Sequence, residues 1–259
     1  MRVVVGGGRG FIGSAICRAL TAVGHDAIAI GRGETARGDV LVWAAGKKLP
    51  SLDDNRAVHV TAALDALMAS GATRAIYVSS GECYGEAPLP FREDGPALAT
   101  TPYALAKLEG EAAFAARVPT LALRLAVVYG PGQQPPMFLP SIVHALRAGE
   151  HVALTDGAQT RDFVFVDDVA AAAVVAALAA KAPNSSVINI GSGVETRVRD
   201  VGEELGRLLG GTHLLGWGER VRGPNDPMRY VLAVDRAAEV LGWRATTPLG
   251  VGLARLASS

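Results

Sequence analysis

The chain opens on an uninterrupted apolar run, Val3-Val4-Val5, closed by a cluster of glycines before a second apolar pattern begins at Phe11. Over residues 11–23 the apolar positions recur at helical spacing, so a helix is predicted there. The alternation then repeats. Residues 27–30 and 40–45 read as strands, 57–70 as a helix, 75–79 as a strand ending in Ser-Ser, 102–116 as a long helix and 121–128 as another strand. Thr101 stands at an N-cap position, and Pro102 suits a first turn, where a missing N–H costs nothing. The Ala-rich run 169–180 reads as a buried helix with Asp167 and Asp168 near its positive end. Short continuous apolar strands alternating with helices imply a parallel sheet covered on both faces, an α/β doubly wound architecture.

After Tyr129 the texture changes. Gly130-Pro131-Gly132-Gln133-Gln134-Pro135-Pro136 reads as a loop, and the segments beyond it are more mixed. The expected organisation is a nucleotide-binding core over residues 1–130, with returning segments from about 155–192, and a smaller substrate lobe built mostly from 131–259. No repeat or low-complexity linker is visible.

Composition narrows the class. A chain of 259 residues, 49% of them hydrophobic, is long enough for one large α/β unit with a small lobe. Lys plus Arg balance Asp plus Glu at 25 each, so no overall field favours nucleic acid or an anionic membrane. Cys17 and Cys83 cannot build a disulfide framework and point to a reducing, cytoplasmic setting. Met1 runs directly into the first strand, so no signal peptide is expected. The run 169–180 is too short to span a bilayer. No metal cluster is read from the sequence.

The glycines between the first strand and first helix carry the first candidate chemistry. In Gly7-Gly8-Arg9-Gly10-Phe11-Ile12-Gly13, Gly7, Gly10 and Gly13 let the backbone approach a pyrophosphate and pack on the helix, whose N-terminus supplies free N–H donors. The alternative is a plain strand–helix turn; the position after an N-terminal apolar strand favours dinucleotide binding by about four to one. An NAD site of this Rossmann type places an acid about 20 residues on. Here the second strand ends in Gly31-Arg32-Gly33. Arg32 and Arg9 are two guanidiniums able to grip a 2′-phosphate, which favours NADP(H), with NAD(H) as the alternative. Glu34 is a nearby carboxylate that opposes this reading.

Tyr103 and Lys107 fall four apart on a predicted helix and share a face. A free tyrosine, with pKa near 10, is a poor acid or base at neutral pH; a nearby ammonium favours the phenolate. Such a tyrosine moves a proton at a substrate oxygen while hydride moves at the adjacent carbon. Ser80, at a strand end, is placed to hydrogen-bond the same oxygen. The spacing alone is common on amphipathic helices, and it gains weight from the glycine loop and the Ser79-Ser80 strand end before it.

At this point the chain resembles the extended short-chain dehydrogenase/reductases of the NAD-dependent epimerase/dehydratase group, which act mainly on nucleotide sugars. The resemblance runs in order through Gly7–Gly13, Asp39-Val40-Leu41-Val42-Trp43-Ala44-Ala45, Tyr77-Val78-Ser79-Ser80-Gly81-Glu82-Cys83-Tyr84-Gly85 and Pro102-Tyr103-Ala104-Leu105-Ala106-Lys107. It continues through Arg124-Leu125, Val128-Tyr129-Gly130-Pro131-Gly132, Arg161-Asp162-Phe163-Val164-Phe165-Val166-Asp167-Asp168, Asn189-Ile190-Gly191-Ser192-Gly193 and Leu241-Gly242-Trp243. It implies Ser80, Tyr103 and Lys107 as a catalytic triad, with Lys107 also holding the nicotinamide ribose. It implies cofactor contacts from Gly7, Arg9, Gly10, Phe11, Ile12, Gly13, Arg32, Ala44, Ala45 and Tyr103, as well as Lys107. It implies substrate contacts from Glu82, Arg161 and one of Arg220 and Arg222, with Arg222 taken as the candidate. Arg161 reads equally as half of a structural ion pair with Asp162, and Glu82 equally as a solvated loop residue. A homodimer joined through helices on the flank of the sheet is implied as well.

The departures matter. Only a short loop joins Ile30 to the Asp39 strand, where the family carries an extra helix and strand, so a trimmed sheet edge is expected. His59 stands where the family commonly has asparagine and is read as structural. Val127 replaces an asparagine before Val-Tyr-Gly-Pro-Gly, which opens the substrate class. The dehydratase-type Asp-Glu pair is only half present, as Gly81-Glu82. The leading expectation is an NAD(P)-dependent oxidoreductase reducing a keto group of a nucleotide-linked deoxysugar, with Tyr103 as proton donor. The alternatives are a nucleotide-sugar epimerase with tightly bound NAD, a ketoreductase on a non-sugar metabolite, and a non-catalytic dinucleotide sensor.

Overall fold

The computed structural model describes residues 1–179, 186–223 and 226–259. Its first half is built from β1 (Arg2–Gly6), α1 (Phe11–Ala22), β2 (Asp26–Ile30), β3 (Val40–Trp43), α2 (Leu52–Arg56), α3 (Ala62–Ser70), β4 (Arg74–Ser80), α4 (Pro102–Ala115) and β5 (Thr120–Leu125). The second half holds β6 (Val127–Tyr129), α5 (Phe138–Ala148), β7 (Val152–Leu154), β8 (Thr160–Phe165), α6 (Val166–Leu178), β9 (Ser186–Ile190), β10 (Glu195–Arg197), α7 (Val198–Leu209), β11 (Leu215–Trp217), α8 (Asp235–Leu241) and α9 (Leu249–Ser258). Ala180, the last residue of the apolar run 169–180, lies outside the described residues.

The expected parallel sheet is present, with order β2-β1-β3-β4-β5-β9. The chain leaves β1 for β2 on one side and returns to β3 on the other, which opens a crevice at the carboxyl ends of β1 and β3. Every residue of β3 and β5 is buried, whereas β2 has three half-buried positions and one exposed one. That gradient fits the short 31–39 connection: β2 is the sheet edge, with nothing outside it. Helices cover both faces. Ile16 and Leu20 of α1 are fully buried with Val169 and Ala173 of α6 in one apolar cluster, and each fully buried aliphatic side chain contributes roughly 1.5–3 kcal/mol.

Three local results differ from the pattern reading. The strand expected over 121–128 is two strands in two sheets. The break falls at Ala126, whose N–H donates to the Ile190 carbonyl, after which β6 turns to pair with β8 in a three-stranded sheet with β10. Apolar continuity hides such a break because β6 carries on the apolar run of the buried β5 with Val127, Val128 and Tyr129. The helix expected over 57–70 begins earlier, at Leu52, capped by Ser51 Oγ accepting from the Asp54 N–H at 3.1 Å. Its middle, Ala57–Thr61, winds as a π-helix. As the cap chemistry predicts, α4 is closed by Thr101, whose hydroxyl accepts from the Ala104 N–H at 3.2 Å.

A second apolar cluster joins α5, α7 and α9 to β6 and β8 through Tyr129, Ile142, Phe163, Phe165, Leu205 and Leu253. Asp162 ties it to the main sheet. Its buried carboxylate accepts from the N–H groups of Ser192 at 2.8 Å and Gly193 at 3.1 Å. The Arg161–Asp162 ion pair weighed from sequence is therefore not formed; adjacent residues on a strand point to opposite faces. Among the described residues no helix is long and apolar enough to cross a membrane.

Candidate active site

The glycine loop sits at the carboxyl end of β1. Gly7 has φ +72°, and a Cβ there would stand 2.6 Å from Ala45 Cα; one on Gly13 would stand 2.1 Å from the Gly7 carbonyl oxygen. These contacts are what restrict both positions to glycine. Gly10 is the N-cap of α1 and brings no side-chain cap. The first-turn N–H groups of α1 thus face the crevice with positive potential, a cradle that fits a dinucleotide pyrophosphate. Ala44 and Ala45 pass beside the loop, with the Ala44 N–H bonded to the Gly6 carbonyl at 2.9 Å.

The two arginines read as a 2′-phosphate grip do not form one. Arg9 donates to Glu34 Oε1 at 2.9 Å, and Glu34 Oε2 accepts from the Gly31 N–H at 2.8 Å. This bonding holds the Glu34 carboxyl below its ordinary pKa and raises that of Arg9. Arg32 lies on the exposed turn beyond them. An acid is therefore anchored at the end of β2 after all, three residues on from Gly31, and it engages the Arg9 guanidinium that was expected to attract a phosphate.

Tyr103 and Lys107 share a face of α4. Lys107 is 4% exposed; its Nζ donates to the Val78 carbonyl at 2.8 Å and lies 5.8 Å from the centroid of the Tyr103 ring. Burial lowers its pKa to about 8, against a smaller upward pull from Cys83 and Glu111. Ser80, the last residue of β4, has its hydroxyl beside the Tyr103 side chain, where it draws the phenol's pKa down, and accepts from the Glu82 N–H at 3.2 Å. The structure thus brings Ser80, Tyr103 and Lys107 together at the carboxyl edge of the sheet. It corrects one electrostatic expectation. The Tyr103 phenol is raised above its ordinary pKa, by burial first and then by Glu82 and Cys83, with the Ser80 bond opposing. Desolvation outweighs any stabilisation of the phenolate, so the phenol stays protonated at neutral pH.

His59 is fully buried, set edge-on to Tyr103 with centroids 5.2 Å apart, and its Nε2 lies 3.3 Å from the Lys47 carbonyl oxygen. Burial and Lys107 hold its pKa down to about 4, so it is a neutral packing partner, in line with the structural role read from sequence. Cys83 is fully buried, and its thiol is pushed up to about 12, chiefly by burial. Beneath it, Glu111 accepts from Ser79 Oγ at 2.5 Å and from both Arg124 Nε at 3.0 Å and Nη2 at 2.8 Å. Ser79 belongs to this buried network, and Ser80 to the crevice.

Two residues at the site carried no signal in sequence. Lys48, in the loop after β3, pairs with Glu82 Oε1 at 2.5 Å and stands 5.6 Å from the Tyr103 ring centroid. Glu82 is therefore paired and partly covered rather than a free loop carboxylate. Tyr230, from the C-terminal segment, is buried and donates to the Leu125 carbonyl at 3.4 Å. A Cβ on Gly81 would stand 2.1 Å from its hydroxyl oxygen. A loop at the carboxyl end of a parallel strand was a reason to inspect Lys48; Tyr230 offered no local clue.

Two residues beyond Leu125 a cleft of about 310 Å³ opens, lined by apolar Val127, Phe138 and Phe163 and by polar Gln159, Arg161 and Arg220. Arg161 is ion-paired to Asp226 there. Arg222, the sequence candidate, donates to the Asp226 backbone carbonyl instead. Arg220 is the arginine that lines the cleft, because its N–H is fixed to the Leu154 carbonyl at 2.9 Å beside β7. Val127 supplies no hydrogen bond where an asparagine would.

Comparison with known proteins places this geometry. The model of the NAD dependent epimerase/dehydratase family matches residues 3–52 and 44–191. The UDP-glucose 4-epimerase of Mycolicibacterium smegmatis is 29% identical over 307 residues, covering 98% of this chain and 97% of that protein. That alignment is longer than the 259 residues of the chain, so the relative carries segments with no counterpart here. The 2-alkyl-3-oxoalkanoate reductase of Stenotrophomonas maltophilia is 27% identical over 66% of this chain and 64% of that protein. The solved structure of MoeE5 in complex with UDP-glucuronic acid and NAD covers 100% of this chain and 98% of its own, at 30% identity and TM-score 0.88.

Proposed function

The chain belongs to the NAD-dependent epimerase/dehydratase family, and we propose that within it this enzyme is a nucleotide-sugar epimerase using NAD. The observation that carries the reading is the meeting of Ser80, Tyr103 and Lys107 beside the glycine loop at one edge of the sheet. Bound NAD would supply a hydride acceptor and donor for the sugar carbon, and a positive charge that would favour the phenolate of Tyr103. Tyr103 accepts the proton leaving the substrate hydroxyl and later gives it back to the same oxygen. Ser80 orients that oxygen. Lys107 holds the nicotinamide ribose and keeps positive charge near the phenol. Arg161 and Arg220 take the substrate diphosphate in the cleft, once Asp226 yields Arg161. Phe11 and Ile12, with the loop glycines, Ala44 and Ala45, wrap the cofactor.

Three observations support epimerisation with NAD over the other readings. The full-length relatives are epimerases. Glu34, anchored on Arg9 and the Gly31 N–H at the end of β2, supplies the acid that suits the adenosine ribose of NAD rather than a 2′-phosphate. Tyr230 fills the space a side chain at position 81 would need, so the acid of a dehydratase has no room. Reduction of a ketone is the second reading. It is favoured by the S. maltophilia reductase and by the protonated state of Tyr103. A homodimer through the flanking helices belongs to the same proposal, supported by Met68 of α3, which is 69% exposed. The test is to denature the purified protein and identify the released nucleotide. Stoichiometric NAD supports an epimerase that retains its cofactor; protein free of nucleotide that consumes NADPH supports the second reading.

A further inference from the structure

The Lys48–Glu82 pair is unusual for its place. Lys48 has 63% of its side chain exposed, and Glu82 31%. Lys48 reaches to 5.6 Å from the Tyr103 ring centroid, while Lys107, on the same helix as Tyr103, is buried. The turn that presents Glu82 is locked, because its N–H is held by Ser80 Oγ. Lys48 comes from the short loop that leads from β3 into the Ser51 cap of α2. The pair thus stands within reach of a molecule whose reacting carbon lies against Tyr103.

We propose that Lys48 and Glu82 form a charge-paired clasp that reads the neutral hydroxyls flanking the reacting carbon of the sugar and selects against sugars carrying a carboxylate there. The inference rests on the nucleotide-sugar reading above. The ammonium has three donors and commits one to Glu82; the carboxylate keeps acceptor sites on both oxygens. A hydroxyl both accepts and donates, so neighbouring hydroxyls satisfy both partners without separating them. A substrate carboxylate brings only acceptors. To reach Lys48 it must displace Glu82 or stand beside a like charge, and the repulsion grows as the docked sugar excludes water. The net charge of the pair is zero, which suits a neutral sugar and gives no attraction to an acidic one.

The experiment is titration calorimetry of the NAD-loaded protein with UDP, UDP-glucose and UDP-glucuronic acid. The wild type is expected to bind UDP-glucose roughly tenfold or more tighter than UDP-glucuronic acid, the scale of one charge-assisted contact. Glu82→Gln should shrink or reverse that ratio, because it frees the ammonium for the acid. Lys48→Met should weaken UDP-glucose roughly tenfold and UDP-glucuronic acid by more. UDP affinity should stay unchanged in both variants, which also reports that they are folded. A wild-type preference for UDP-glucuronic acid, or a ratio that survives Glu82→Gln, overturns the clasp while leaving the proposed function standing. A wild type that binds neither sugar more tightly than UDP, or none of the three, overturns the nucleotide-sugar reading itself.

Discussion

Lys107 lies one helical turn beyond Tyr103 on α4, with its ammonium 5.8 Å from the centre of the phenol ring and anchored on the Val78 carbonyl. Lys107 is fixed by strand β4 underneath, and Tyr103 stands beside Ser80 at the end of that same strand. Strand and helix thus set the distance between phenol and ammonium.

Tyr103→Phe removes only the hydroxyl. Turnover should fall by about 10²–10⁴-fold, the usual contribution of a placed acid–base group. NAD affinity, measured by fluorescence titration, should change less than about twofold, because other residues hold the cofactor. A variant that keeps full activity removes Tyr103 from the chemistry, and with it every enzymatic role assigned to that face of α4.

Glu34→Gln should alter cofactor choice. The wild-type carboxylate, pinned by Arg9 and Gly31, repels a 2′-phosphate. Neutralising it frees Arg9, so the Kd ratio of NADP to NAD should fall by roughly tenfold, the scale of one charge-assisted hydrogen bond. Arg32→Ala should leave the ratio nearly unchanged, since Arg32 stands on the exposed turn. Dissociation constants for both cofactors check this; an unmoved ratio in Glu34→Gln contradicts it.

Lys107 predicts a signed pH dependence of stability. Its folded pKa is lowered to about 8 from its ordinary value of 10.5, chiefly by burial. Between those values the unfolded chain holds the proton more tightly than the folded one, so stability must rise with pH across that window. Below about pH 8 the cost of the buried charge is fully present. Urea midpoints for cofactor-free protein at pH 7.5 and pH 10 should therefore show a gain relative to Lys107→Met, in which this contribution is absent. A loss on the same comparison contradicts the burial argument.

Gly81→Ala tests the contact with Tyr230. The new Cβ would meet the phenol oxygen at 2.1 Å, and overpacking of this kind costs about 1–3 kcal/mol. Adding Tyr230→Phe to Gly81→Ala should recover part of the loss, as read by urea denaturation of the single and double variants. Independent, additive losses would mean the two residues do not meet.

What could be read from sequence follows the range of each interaction. The glycine loop, the Thr101 cap and the spacing of Tyr103 and Lys107 are local, so residue type and spacing convey them. The strand–helix alternation conveyed the six-stranded sheet for the same reason. Partnerships across the chain were not legible. Arg9 and Arg32 looked like a phosphate grip until Glu34 was seen folded back on Arg9. Arg161 was paired on paper with its neighbour Asp162, but β-strand alternation sends Asp162 to the Ser192 backbone and leaves Arg161 to Asp226. Lys48, Tyr230 and the break at Ala126 depend on which segments fold together, which apolar patterning does not encode. The raised pKa of Tyr103 was missed because spacing reports the nearby ammonium and says nothing about desolvation.

The central claim is tested most directly by incubating the purified protein with UDP-glucose and following both the sugar C4 configuration by proton NMR and the nicotinamide absorbance. The account predicts conversion of UDP-glucose toward its 4-epimer with no net accumulation or consumption of reduced cofactor, and loss of conversion in Tyr103→Phe. No epimer from UDP-glucose, together with stoichiometric oxidation of added NADPH by a keto substrate, would contradict it.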